Sequence, residues 1–144
     1  MLNRKKNNKG FTLVELLVVI AIIGILAVVA VPALFKNIEK GKVAELESDI
    51  SAIRSAALSY YAAEGTYPTD LSQIQDEIES LSDPFEGAYD VNPGNTEQPP
   101  AALTLTINST KISSDGIEKI ENDLGDMFVS NQSNVLTITL MSVN

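Results

Sequence analysis

Between Leu16 and Phe35 the chain runs for twenty residues without a charged side chain. A helix rises 1.5 Å per residue, so this run reaches about 30 Å, the thickness of a bilayer's hydrocarbon core. Before it stand Arg4, Lys5, Lys6 and Lys9 with no acidic residue among them. Such a basic flank keeps the N-terminus on the cytoplasmic side of a single span. Glu15 breaks the pattern. A carboxylate deep in a membrane helix costs about 2.5–3.5 kcal/mol, less near the interface, so something is expected to offset it.

Gly10-Phe11-Thr12-Leu13-Val14-Glu15, with a short basic leader before it and an apolar helix after it, resembles the N-terminus of type IV pilins and the related pseudopilins. The resemblance implies that a prepilin peptidase cuts between Gly10 and Phe11 and that Phe11 is then N-methylated. It implies that Glu15 meets the α-amine of a neighbouring subunit during assembly. The chemistry is sensible in its own right. An α-amine titrates near 7.7–8.0 and Glu near 4.3, so at neutral pH the two are mostly of opposite charge. In low dielectric such a pair offsets much of the desolvation that each would suffer alone.

The resemblance also carries an organisation. Residues 1–10 would be a leader lost on maturation, 11–35 the transmembrane and filament-core helix, and 36–144 a soluble head that includes the rest of that helix. The implied fold is α+β and pilin-like: a long N-terminal helix, apolar then amphipathic, on a small antiparallel sheet with short helices. The implied partners are copies of the chain in a helical filament, the peptidase, a platform protein and a cytoplasmic ATPase. The membrane holds the precursor, and a cell-surface pilus is the destination, serving adhesion, surface motility, biofilm formation or DNA uptake. Within the family the alternative is a pseudopilin of a type II secretion or DNA-uptake apparatus.

Two readings from another class use the same residues. A secretory signal peptide also pairs a basic start with an apolar run, and Val31-Pro32-Ala33 offers a small-residue cut that would leave Leu34 first. The product would be a secreted binding protein. An ordinary membrane anchor fits the hydropathy but leaves Gly10 to Glu15 without a purpose.

The chain has neither cysteine nor histidine. That removes a disulfide framework, a cysteine nucleophile, the usual zinc ligands and a histidine-based triad. Many Gram-negative type IV pilins staple the C-terminal region with a disulfide, so its absence tilts the expected source toward Gram-positive bacteria. All 19 acidic residues follow Gly10, while 4 of the 10 basic ones precede it. Losing the leader takes the formal charge from −9 to −13. So acidic a surface repels phosphate backbones and anionic lipid headgroups, and direct nucleic-acid binding by one subunit is not expected.

Beyond Phe35 a polar collar, Lys36 to Lys42, leads into Val43, Leu46, Ile50, Ile53, Ala57 and Tyr60, spaced 3, 4, 3, 4, 3. That is one face of an amphipathic helix, so one helix is expected from about Phe11 to Ala63. Gly24, Gly41 and Pro32 weaken it, each glycine by about 1 kcal/mol and the proline by about 3 against Ala in a water-exposed helix. Pro32 has no N–H for the carbonyl of Val28, so a kink is one expectation. The resemblance adds another, since a Gly and a Pro at matching places bracket a segment that loses helix in assembled filaments. A run of small residues, Ser48, Ala52, Ser55, Ala56, Ser59, Ala62 and Ala63, allows close helix approach or simply favours helix.

Gly65-Thr66-Tyr67-Pro68 should end the helix. Leu71, Ile74, Ile78 and Leu81 then predict a short amphipathic helix capped by Thr69 or Asp70. Asp83-Pro84-Phe85-Glu86-Gly87-Ala88-Tyr89 loosely resembles the loop of major pseudopilins that leads to a calcium site. Asp83, Glu86 and Asp90 are the candidate ligands, but spacing alone is weak support, a solvated acidic loop fits as well, and no metal is expected. Asn92 to Pro100 reads as a turn-rich loop. Leu103–Ile107 and Val135–Leu140 alternate with period 2 and predict half-buried strands with Thr outward. Between them Ile117, Ile120, Leu124 and Phe128 predict a helix begun near Ser114 or Asp115, and Asn131 to Asn134 a turn. Asn108-Ser109-Thr110 and Asn131-Gln132-Ser133 match the N-glycosylation pattern, to which no meaning is attached in a bacterial protein. Nothing groups the carboxylates with a base, a phosphate loop or a nucleophile elbow, so neither an enzyme nor a cofactor is expected.

Overall fold

The computed structural model describes residues 10–78, 81, 84–93 and 102–142. The leader charges, Asp83 and most of the loop between Asn92 and Pro100 lie outside these. The chain falls into two units divided between Asn37 and Ile38.

Helix α1 spans Leu13–Glu64, with Pro32 inside it, close to the expected limits. In the first unit its large apolar side chains are all exposed, Phe11 just ahead of it at 91% and Ile23 at 60%. It holds a membrane-length window of mean hydropathy 3.1. Apolar residues there have no periodicity, because no side of the helix is reserved for the protein's own core.

The second unit has a closed core. From α1, Val43, Leu46, Ile50, Ile53, Ala56 and Ala57 are buried, the stripe that the 3-4 spacing predicts. Of the small residues named above only Ala56 is buried. Gly65, at φ 73, caps the helix by donating its N–H to the carbonyl of Tyr61 at 2.9 Å, a backbone conformation that glycine adopts at no steric cost. Tyr67 then folds back, its ring 4.7 Å from that of Tyr61.

The expected helix after Asp70 is instead a pair of 3-10 turns, Leu71–Gln73 and Gln75–Glu77. Asp70 does cap the first: its carboxylate accepts from the Ser72 N–H at 2.7 Å, and Gln73 reaches back to the Asp70 N–H. A segment so short gains too few i→i−4 bonds to repay nucleation, whereas 3-10 turns still bury Ile74 and Ile78.

Four antiparallel strands follow: β1 Tyr89–Pro93, β2 Ala102–Asn108, β3 Phe128–Gln132 and β4 Val135–Ser142, in sheet order β1-β2-β4-β3. Leu103, Leu105 and Ile107 from β2 and Leu136, Ile138 and Leu140 from β4 fill the core, with the threonines between them turned outward. Helix α2, Ser114–Leu124, begins at Ser113, whose hydroxyl accepts from the Gly116 N–H, and buries Ile120. It stops at Gly125, which takes φ 53. Phe128 therefore belongs to β3 and not to the helix that its spacing suggested. The hairpin between β3 and β4 closes on Ser133 and Asn134, both at positive φ, as a two-residue turn of the right hand for twisted strands requires. Asn131 and Gln132 are strand. Asn92 and Pro93 likewise extend β1 and are not loop; Pro93 is tolerable because β1 is an edge strand.

Candidate functional site

The first turn of α1 is built from the motif itself. Thr12 precedes the helix, and its carbonyl accepts the first helical bond, from Leu16 N–H at 3.2 Å. Its hydroxyl accepts from the Glu15 N–H at 3.2 Å, while the Glu15 carboxylate accepts from the Thr12 N–H and hydroxyl, both at 2.8 Å. This is a capping box, two orphan donors satisfied reciprocally. Glu15 thus has a role inside its own chain, and Thr12 is a site residue that the sequence reasoning passed over. The signal was present as Thr-x-x-Glu ahead of an apolar run. The Glu15 carboxylate also sits where the helix dipole favours an anion.

Gly10 and Phe11 lie ahead of this cap and are exposed. A Cβ added at Gly10 would meet nothing within 4 Å, nor would one at Gly24. Neither glycine is needed by packing within one chain, so a reason for either has to come from outside it. Pro32 is accommodated within α1.

Of the candidate calcium residues, Asp83 lies outside the described residues, and Glu86 and Asp90 turn to different partners. Glu86, at φ 60, pairs with Lys111. That hydrogen bond and charge hold its carboxyl below the usual range. Asp90 instead accepts from the Asn92 amide at 3.3 Å. Beside them the Lys42 ammonium lies 5.5 Å from the Phe85 ring centroid, a cation–π contact. Among the described residues no group of three or more acidic side chains is placed to hold a metal.

Two acidic residues of α1 instead fix α2. The Glu39 carboxylate accepts from the Ser113 N–H at 2.8 Å, and a Cβ on Gly116 would come within 2.9 Å of the same oxygen. Glycine at 116 leaves room for that carboxylate at the helix N-terminus, where an anion is favoured. Glu47 lies 3.7 Å from Lys119, which also pairs with Asp123. Burial, and then a hydrogen bond shared with Asp123, push the Glu47 carboxyl up, while Lys119 holds Asp123 down. Tyr89 ties β1 to the same helix, its hydroxyl 2.8 Å from Asp49.

Comparison with known proteins finds the same N-terminal motif and the same fold elsewhere. Residues 5–31 match the prokaryotic N-terminal methylation motif, and residues 37–99 match the PilW C-terminal family. The chain is 41% identical over 86 residues to the type II secretion system core protein G of Klebsiella michiganensis, covering 60% of this chain and 61% of that one. It is 36% identical over 104 residues to the type IV major pilin protein PilE of Neisseria gonorrhoeae, 72% of this chain and 59% of that one. Among solved structures, the major type IV pilin PilA1 from Clostridium difficile superposes with a TM-score of 0.61 at 27% identity, over 74% of this chain and 98% of that one. The matches thus span about three fifths of these two curated relatives' length. The chain belongs to the type IV pilin and type II secretion pseudopilin family, whose members are structural proteins and not enzymes.

Proposed function

We propose that this chain is the subunit of a type IV pilus. It is made as a membrane-held precursor and cut between Gly10 and Phe11 by a prepilin peptidase. Phe11 is methylated, and the subunit is polymerised by the platform and ATPase machinery. The observation that carries this reading is the first half of α1: a helix with every large apolar side chain exposed and a single carboxylate, Glu15, in its first turn. Such a surface is stable only in lipid or against copies of itself. On this reading helices from many copies form the filament core and the acidic heads its surface. The Glu15 carboxylate, already aimed by Thr12, then receives the α-amine of a neighbour. The stretch Gly24 to Pro32 is where α1 would give up helix in the filament.

A second reading, a pseudopilin, is favoured by the 41% identity to core protein G. The dispersal of Glu86 and Asp90 to Lys111 and Asn92 speaks for the pilus. The methylation motif over residues 5–31 supports processing at Gly10 over a signal-peptide cut before Leu34. Mass spectrometry of the mature protein tests the processing. A chain starting at methylated Phe11 is expected, and Gly10→Val should retain the full basic leader, because the scissile bond lacks Cβ-free backbone. A mature chain starting at Leu34 would overturn the reading. Filaments of this subunit on the cell surface, seen by immunogold labelling, separate pilus from pseudopilus.

A further inference from the structure

The head stretch, residues 36–144, holds 18 acidic and 6 basic residues. Heads so rich in one charge repel one another, and packing them side by side needs cations where the copies meet. Lys111 and Lys119 are committed to carboxylates of the same chain, Glu86 and Asp123, and Lys42 lies over the Phe85 ring. Arg54 is used differently. It is exposed, and its guanidinium donates to the Met127 sulfur at 3.2 Å. A thioether is a weak acceptor, and one such bond leaves most of the five guanidinium N–H groups for another partner. Among the described residues no carboxylate pairs with Arg54.

Arg54 borders a cleft of about 440 Å³ between α1, the turn Gly125–Met127 and β4, lined also by Leu58, Tyr61, Tyr67, Asp126 and Met127. Arg54, Leu58 and Tyr61 are spaced 4 and 3 and so share one face of α1. Leu58 is 57% exposed, more than any other large apolar side chain described in the head. One exposed leucine means little by itself. Here it stands with an arginine, two tyrosines and a methionine, the residue types that are enriched where proteins meet.

We infer that this cleft receives a second copy of the chain: Leu58 and Tyr61 take an apolar side chain of the neighbouring head, and Arg54 takes one of its carboxylates. The inference rests on the filament reading above and adds a head-to-head contact to the pairing at Glu15. A guanidinium holds a carboxylate by two parallel bonds, which an ammonium cannot reproduce. With 18 acidic residues on each head, a carboxylate is the group that a neighbour is best able to offer. Asp126 lines the cleft as well and offers an acceptor to the N–H groups of the entering segment. A nucleic acid or an anionic lipid surface also suits Arg54, but the rest of the head repels it.

The test uses the full chain in cells that make it. Leu58 is replaced by a benzophenone-bearing amino acid in a copy made beside wild-type subunits, and the cells are irradiated before filaments are sheared off. The sheared material should hold an adduct of twice the mature subunit mass, with this chain on both sides of the cross-link by mass spectrometry. Arg54→Glu should lower filament yield by about tenfold or more, and Arg54→Lys should lower it less. Both variants should be cleaved normally and keep the wild-type unfolding midpoint in detergent, because the hydrogen bond lost within the chain ends on sulfur. If Arg54→Glu does lower the midpoint, the adduct and the yield of Arg54→Lys decide. An adduct to a different polypeptide, or none in cells that bear filaments, overturns the inference, as does wild-type yield from Arg54→Glu. If wild-type cells bear no filaments of this subunit, the filament reading itself fails and takes this inference with it.

Discussion

Two stretches of one helix use the same residues in opposite ways. Ile23 is 60% exposed, while Ile50 is fully buried. Around Ile23 the neighbours are apolar on every side; around Ile50 they alternate with Glu47, Asp49, Ser51 and Arg54. Periodicity is thus the mark of a helix whose partner belongs to the same chain, and its loss is the mark of one whose partner does not. The first stretch carries apolar surface that one subunit cannot hide, and the second spends its surface on a head that is complete in itself.

The sharpest way to break this contrast is at Glu15. Glu15→Gln should leave insertion and cleavage intact and abolish filaments made from the variant alone, with partial incorporation beside wild-type subunits. Burying the neighbour's amine without its counter-charge costs about 3–5 kcal/mol, the scale of breaking a buried ion pair. A glutamine side chain still accepts from the Thr12 N–H, so the capping box is kept and the substitution reports the charge. Normal pilus yield by shearing and immunoblot would remove the charge-pairing role.

Within the head, Ile50→Ala should cost about 2–5 kcal/mol, because a cavity opens where β2 and β4 meet α1. Ile23→Ala should leave the head's unfolding midpoint in detergent within about 0.5 kcal/mol of wild type. Equal losses from the two substitutions would mean that the two stretches are not independent. A smaller loss, about 1–3 kcal/mol from overpacking, is expected of Gly116→Ala, whose methyl would sit 2.9 Å from Glu39 Oε1 and Ile112 Cγ2. The amides of Ser113 to Gly116 should then exchange hydrogen faster, because the Glu39 carboxylate is pushed off them.

The smallest effect concerns pH. Burial raises the Glu47 carboxyl, so the folded head binds that proton more tightly than the unfolded chain does. Its ionisation thus weighs against the fold at neutral pH, and the penalty is relieved as pH falls through the raised value. Asp123 and Glu86, held low by Lys119 and Lys111, act with the opposite sign and lose their contribution in acid. Denaturant midpoints at pH 7 and pH 5 should therefore rise more, or fall less, in wild type than in Glu47→Gln, a comparison in which Asp123 and Glu86 largely cancel.

The elements read correctly from sequence were those with a strong period and a clear stop. Leu-Thr alternation marked β2 and β4, and the 3-4 spacing marked α1 and α2. Strands β1 and β3 were missed because their residues, Asp90, Asn92 and Pro93 or Ser130, Asn131 and Gln132, are poor strand formers. They are strands because β2 and β4 offer them open edges. Phe128 keeps the helical spacing of α2 across Gly125, where the stop signal of the glycine overrides the period. At the candidate site Gly10, Phe11 and Glu15 were legible as a motif. Thr12 was not, because a charge in an apolar run is a stronger signal than the Thr-x-x-Glu spacing that marks the cap.

The strand order has a consequence for how a subunit comes into being. Strand β4 follows every other element in the chain, yet it lies inside the sheet, between β2 and β3. Until Val135 to Ser142 are available, β2 lacks a partner on its inner edge and β3 lacks one altogether, so the core over Ile50 and Ile53 has no floor. Closure of the head must therefore be a late event that registers the presence of the whole strand. A chain interrupted before Val135 would keep the apolar N-terminal helix and its processing motif but present open strand edges to any neighbour. In this topology β4 closes the sheet, and copies interrupted before it are distinguishable by shape from those that hold it.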